Sequence, residues 1–246
     1  MTWKKYCVDL LGLSLIVIVA YIIPAEWVRH RLNEVYVGDD IAIDMQLNEN
    51  ALYESALMED ICFLKYCMIS RTEPDIIALG TSRSMQFRAA FFKGATFYTT
   101  GGMGDSIDAM EAIFDHICIN YVPKIVIFAV DWDWLNPNYP HPKLRYVENN
   151  TLASEGHRAF ILQFEDAVRS LCVVQDVPFY DFTNMAWLGA SDEEAFDGFH
   201  ASERTYGRIT LQFESDPVIA PYINKDFIEA CMVNSNHPFQ IIPADM

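Results

Sequence analysis

Pro74-Asp75-Ile76-Ile77-Ala78-Leu79-Gly80-Thr81-Ser82-Arg83-Ser84 is the stretch whose reading decides the fold. An apolar run of strand length stops at a glycine. Three short polar residues and an arginine then lead to Met85, Phe87 and Phe91 at helical spacing. The pattern predicts a strand, a tight turn and a helix start. A serine on such a turn stands outside the carboxyl end of a strand, beside helix N-terminal N–H groups with no partner inside the helix. That setting suits a nucleophile whose hydroxyl must be exposed and whose oxyanion must be held. Ser82 is the candidate; in the competing reading Thr81 or Ser82 only caps the helix.

Downstream, Ala95-Thr96-Phe97-Tyr98-Thr99 reads as a second strand and Gly101-Gly102-Met103-Gly104 as a glycine-rich turn. Asp105 or Ser106 is placed to cap a helix whose Ile107, Met110, Phe114, Ile117 and Cys118 form one apolar face. Lys124 to Val130 is apolar on both faces, as a buried parallel strand is. Pro137, Pro140 and Pro142 break any regular element in the following segment. A helix over Phe160–Val174, a short strand over Val177–Phe182, an acidic loop at Asp192–His200 and helices through Tyr206–Phe213 and Pro221–Val233 complete the pattern. Strands alternating with helices predict an α/β fold with an open parallel sheet of four to five strands and helices on both faces, a three-layer arrangement. Three loops leave the carboxyl ends of its strands, where ligands bind in such sheets: Thr81–Ser84, Gly101–Ser106 and Asp131–Asn136.

Upstream, Leu52, Ala56, Leu57, Ile61, Leu64 and Met68 recur at helical spacing. Before them, Lys4 and Lys5 precede an uncharged run from Leu10 to Ala25, and Trp27 follows. Basic residues, an apolar helix and an interfacial aromatic make the pattern of an N-terminal signal anchor, preferred here to a cleaved signal peptide or a buried core helix. The rest of the chain is then expected outside the cytoplasmic membrane.

With 246 residues, 52% of them hydrophobic, the chain can bury a sizeable core. A formal net charge of -17 argues against a nucleic-acid partner, because no basic stripe is present to neutralise phosphates. The six cysteines show no C-x-x-C pairing and no zinc-like spacing, so neither a metal site nor any disulfide is expected.

An activated serine needs a base within hydrogen-bond reach and a carboxylate that orients the base. Asp197 and His200 offer both in a D-x-x-H spacing. Taken alone, such a histidine reads in the first place as a packing or capping residue at the helix start. Following a G-x-S turn in an α/β chain, it reads as the base.

Together these motifs resemble the SGNH (GDSL-like) hydrolase superfamily, a flavodoxin-like architecture. Within it they resemble the membrane-tethered branch with G-[TS]-S-R, similar to proteins of polysaccharide O-acetylation and teichoic acid D-alanylation. The likeness runs from about Pro74 to Phe213. Gly80-Thr81-Ser82-Arg83 matches the first block, Gly101 to Ser106 the second and Asp197-Gly198-Phe199-His200 the fifth. The resemblance implies Ser82 as nucleophile, His200 as base, Asp197 as orienting acid, and the N–H groups of Ser82 and Gly104 as oxyanion donors. It implies no metal or organic cofactor.

Two departures stand out. Asp131 occupies the place of the asparagine that the family's third block supplies to the oxyanion hole, and a carboxylate cannot donate a hydrogen bond. Asn136 is the nearest substitute. Between Asn149 and Val177 there is one helix where the family usually has a further strand. Arg83 is read either as a ligand for a carboxylate or sugar acid or, preferentially, as an ion-pair partner of Asp131 or Asp133. Trp132 is read as a sugar-stacking or packing aromatic.

The expected organisation is a signal anchor over 1–28, a juxtamembrane connection and packing helix over 29–72, and an SGNH-like α/β domain over 73–246. The expected activity is that of a serine acyl esterase or O-acyltransferase on a carbohydrate or cell-envelope polymer. It would be anchored in a bacterial inner membrane by one span, with its catalytic domain periplasmic and a polysaccharide-modification complex as partner. The alternative is an inactive scaffold or glycan-binding module of such a complex.

Overall fold

The computed structural model describes residues 3–31, 39–49, 61–104, 106–131, 155–197 and 200–243. The chain divides into two compact units, residues 1–64 and 65–246.

In the first unit, α1 (Trp3–Val17), a π turn (Ile18–Ile22) and α2 (Ile23–Arg31) run on as one helical stretch, and α3 (Asp39–Glu49) follows. The π turn has a local cause. Pro24 has no N–H, and its ring crowds the carbonyl four residues earlier. The helix widens there, and Ile23 N–H donates to Ile18 O. The 29 residues from Trp3 to Arg31 span about 43 Å, enough to cross a bilayer, and none of them is buried. The stretch ends in Arg29, His30 and Arg31. Arg29 pairs with Glu26 at 2.7 Å, and the Arg31 guanidinium lies 5.7 Å from the Trp27 ring centre. This apolar helix is consistent with a signal anchor or signal sequence.

The second unit is mixed α/β. Its strands β1 (Ile76–Leu79), β2 (Phe97–Thr99) and β3 (Ile125–Phe128) form a parallel sheet in the order β2-β1-β3. Ile76 stands opposite both Phe97 and Ile125. The chain leaves β1 to one side for β2, then crosses through α5 (Ile107–Asn120) to β3 on the other side.

All four β1 residues are buried, as a central strand requires. Alternation sorts them. Ile76 and Ala78 join a core built with Phe87, Phe91 and Phe92 and with residues of α7 (Glu203–Gln212) and α8 (Lys225–Asn234). Ile77 and Leu79 join a second core with Met110 and Ile117 of α5 and Ile69 of α4 (Ile61–Thr72). The N-terminal ends of the strands are tied by one carboxylate. Asp75 accepts hydrogen bonds from Thr96 N–H and Thr96 Oγ1 and pairs with Lys124 at 2.7 Å.

The structure departs from expectation in several places. β3, whose run reads as a fully buried strand, is only partly covered, with Phe128 46% exposed; among the described residues it borders β1 alone. Val177–Phe182 is not a strand, so the described sheet has three strands rather than four or five. Pro178 cannot donate to a ladder, and Tyr180 and Phe182 pack instead on Phe213. The residues after Gly80 form two short 3-10 turns, Ser82–Gln86 and Ala89–Phe91, in place of one helix. The helix predicted over Phe160–Val174, here α6, starts earlier and covers Glu155–Val174. Much of the helix predicted from Leu52 falls on residues 50–60, outside the described residues.

Candidate functional site

The carboxyl ends of β1 and β2 carry the site. Gly80 ends β1 where a side chain has no room: a Cβ there would lie 2.9 Å from Ala129 Cβ and 3.0 Å from Ser84 Oγ. The next residues turn tightly. Ser84 N–H and Ser84 Oγ both bond to Thr81 O at 3.0 Å, and Ser84 is fully buried. Thr81 Oγ1 caps the turn by accepting from Arg83 N–H. The glycine-rich turn after β2 backs this one. Thr99 Oγ1 donates to Ser84 O at 3.1 Å, and a Cβ on Gly101 would lie 2.8 Å from Met85 N. Lys65, a buried residue of α4, donates through Nζ to Gly101 O.

His200 arrives from the far end of the chain. The loop that carries it is closed by an antiparallel bridge between Ala195 and Ala201. Phe196 N–H donates to His200 O at 3.0 Å, and Ser202 N–H to Glu194 O at 2.8 Å. Glu194, buried, takes Thr205 Oγ1 at 2.9 Å and pairs with Arg208. Within the loop Asp197 grips His200 twice: Oδ1 accepts its backbone N–H at 2.7 Å, and Oδ2 lies 2.7 Å from ring Nδ1.

His200 Nε2 lies 2.8 Å from Ser82 Oγ, across 118 sequence positions. With Nδ1 carrying the proton toward Asp197, Nε2 is left as an acceptor for the Ser82 hydroxyl. The order carboxylate, imidazole, hydroxyl is that of a nucleophile, its base and the group orienting the base. The Asp197 and His200 side chains are 46% and 34% exposed, so the assembly is open to solvent and to a ligand.

Arg83 and Asp131 meet. Arg83 Nη1 donates to Asp131 Oδ1 at 2.7 Å, and Thr81 Oγ1 donates to Oδ2. The carboxylate is thus used as an acceptor from two residues of the Ser82 turn. Tyr206 closes this corner from α7; burial, then the Asp131 charge, raises the pKa of its hydroxyl well above the ordinary value, with Arg83 acting weakly the other way.

Gly104 sits against α5, where an added Cβ would lie 3.2 Å from Ala109 Cβ, and Ser106 caps that helix by accepting from Ala109 N–H. Among the described residues neither the Ser82 nor the Gly104 N–H donates a hydrogen bond. Trp132 and Asn136 lie outside the described residues. Among the described residues no three His, Cys, Asp or Glu side chains gather as a metal site would need.

Sequence reasoning missed Thr81 as a partner of Asp131, and it missed Arg88, Glu194 and Glu203, whose contacts frame the site. Glu203 follows the cap residue Ser202 and so resembles an ordinary first-turn acid, while Glu194 sits in an acidic run. No local pattern marks a pairing such as Arg88 with Glu203, which spans 115 positions.

Comparison of the chain with models of known protein families, with curated proteins and with solved structures finds no match.

Proposed function

We propose that the chain is a serine-dependent acyl esterase or O-acyltransferase. The observation that carries this reading is the unbroken sequence of short contacts from Asp197 through His200 to Ser82, at the rim where a β2-β1-β3 sheet binds ligands. In this reading Ser82 Oγ attacks an ester carbonyl while His200 Nε2 takes its proton, and Asp197 holds the imidazolium. The tetrahedral oxyanion is held by the N–H groups of Ser82 and Gly104. On collapse His200 returns the proton to the departing alcohol and leaves an acyl-Ser82. Water or a sugar hydroxyl, deprotonated by His200, then releases the acyl group.

The finer fold reading belongs to the same proposal: an SGNH-like, flavodoxin-like three-layer domain in which each β1-centred core lies between the sheet and one helix layer. So does the setting. An apolar helix of 29 residues fits a single-pass anchor, with the domain periplasmic and acting on a carbohydrate or cell-envelope polymer within a polysaccharide-modification complex. The net charge of -17 keeps nucleic acid off the list of partners.

Asp131 favours a second reading, an inactive scaffold or glycan-binding module, because it brings no donor where the resembled family has an asparagine. The two separate on one experiment. Purified chain is treated with a fluorophosphonate, which phosphonylates activated serines. Labelling that disappears in Ser82→Ala and drops sharply in His200→Ala supports the enzyme. A folded chain that stays unlabelled supports the scaffold.

A further inference from the structure

Resting on the reading of Ser82 and His200 as nucleophile and base, we propose that Arg88 and Glu203 are positioning residues. Their ion pair is the strut that sets the distance between the two reacting side chains. Arg88 lies two residues past the Ser82–Gln86 turn and is fastened to it: Nη1 donates to Met85 O at 3.3 Å and Nη2 to Gln86 Oε1 at 2.8 Å. Its Nε donates to Glu203 Oε1 at 2.7 Å. Glu203 opens α7 three residues after His200 and is 5% exposed. The guanidinium therefore bonds the nucleophile's turn and the first residue of the helix that follows the base at once, through its planar fork of donors.

The other side of Glu203 is equally engaged. Oε2 accepts the N–H groups of Ile241 and Ile242 at 2.7 and 2.9 Å, and Glu203 N–H donates to Phe239 O at 3.0 Å. Phe239 in turn stacks on Phe196, the neighbour of Asp197, with ring centres 4.5 Å apart. One buried carboxylate thus meets the Ser82 turn, the start of α7 and the C-terminal segment that braces the Asp197 loop. A buried carboxylate with its acceptors filled has little freedom to move, because any shift would leave charge unpaired. The short local bonds between Asp197 and His200 fix the base relative to its acid. They do nothing to fix it relative to Ser82, and the strut supplies that.

The test uses the full-length chain in detergent, as wild type, Arg88→Lys, Arg88→Gln, Glu203→Gln and the Arg88→Gln/Glu203→Gln pair. The readouts are the rate of Ser82 labelling by a fluorophosphonate per folded molecule and kcat and KM for p-nitrophenyl acetate, all well below the unfolding temperature. A displacement of about 1 Å costs on the order of a hundredfold. The expected result is a ten- to hundredfold fall in labelling rate and kcat for each single variant, with KM held and Arg88→Lys the mildest. The double variant should be no slower than the slower single, since both remove one strut. Arg88 is 41% exposed, so its variants carry the test if Glu203→Gln does not fold. Folded Arg88 variants that label at the wild-type rate, or losses that simply multiply in the double variant, overturn the strut and leave the esterase reading standing. A wild type that does not label at Ser82 overturns the esterase reading, and the strut with it.

Discussion

Arg83 and Asp131, 48 positions apart, meet at 2.7 Å with the second Asp131 oxygen taken by the Thr81 hydroxyl. The Asp131 carboxylate, three residues past β3, therefore fastens both residues that flank Ser82. A negative charge that would oppose an oxyanion is neutralised by the guanidinium beside it, and the acid becomes part of the scaffold of the turn.

Asp131→Asn tests that role. Asp131 and Arg83 side chains are 9% and 19% exposed, and breaking such a largely buried pair costs about 3 kcal/mol. Thermal unfolding should come roughly 6–12 °C earlier. Ser82 labelling should slow as well. A variant as stable as wild type and faster would mean that the carboxylate obstructs the oxyanion instead.

The close approach of the glycine-rich turn to the Ser82 turn gives a second test. In Gly101→Ala the new methyl would lie 2.5 Å from Met85 Cγ and 2.8 Å from Met85 N. Backbone on one side and the buried Ser84 on the other leave little room for relief. A destabilisation of about 1–3 kcal/mol is expected, with slower Ser82 labelling. Urea unfolding and the labelling rate measured together check both halves; unchanged values in both would contradict the packing described.

Acid should loosen the sheet at the opposite end from the site. Hydrogen bonding, first from Lys124 and then from the Thr96 backbone, lowers the Asp75 carboxyl to about 2 from 3.8. A group whose pKa falls on folding stabilises the fold above its unfolded value, and that contribution disappears as pH drops through the folded one. The wild type's stability advantage over Asp75→Asn should hold steady down to about pH 4 and decline between there and about pH 2. Urea midpoints of the two proteins over that range provide the check, and an advantage that persists unchanged at pH 2 would refute it.

Backbone strain sits where α4 hands over to β1. Glu73 has φ of +42°, a left-handed conformation that costs a side chain about 1–2 kcal/mol. Its N–H donates to Ile69 O, closing the helix in the manner usual for glycine. Glu73→Gly should raise stability by about 0.5–1 kcal/mol after the added flexibility of glycine is offset. A calorimetric Tm higher by roughly 1–4 °C is the expected reading, and a lower Tm would count against it.

Much of this protein was legible locally. The Ile76–Leu79 run stops at Gly80 because the chain must pass close to Ala129 and Ser84 there, and glycine at a strand end is a one-residue signal. Ser106 as a cap, the apolar face of α5 and the apolar N-terminal helix are likewise matters of neighbouring residues and their period. The same logic misread Val177–Phe182. Apolar alternation reports burial, but pairing also needs a backbone free to join a ladder, and the segment contains Pro178 and spends its aromatics on Phe213.

By itself the sequence determined the strand-and-turn alternation, the spacing of Asp197 and His200 and the apolar run at the start, because each depends on residues within a few positions of one another. Only the tertiary structure decided that β1 lies between its neighbours, that His200 reaches Ser82 at 2.8 Å, that Asp131 is used by Thr81 and Arg83, and that Arg88 finds Glu203. The side-chain pairings among these join residues 48 to 118 positions apart. Their geometry comes from how helices and turns stack on both faces of the sheet, and no short-range pattern of side chains encodes it.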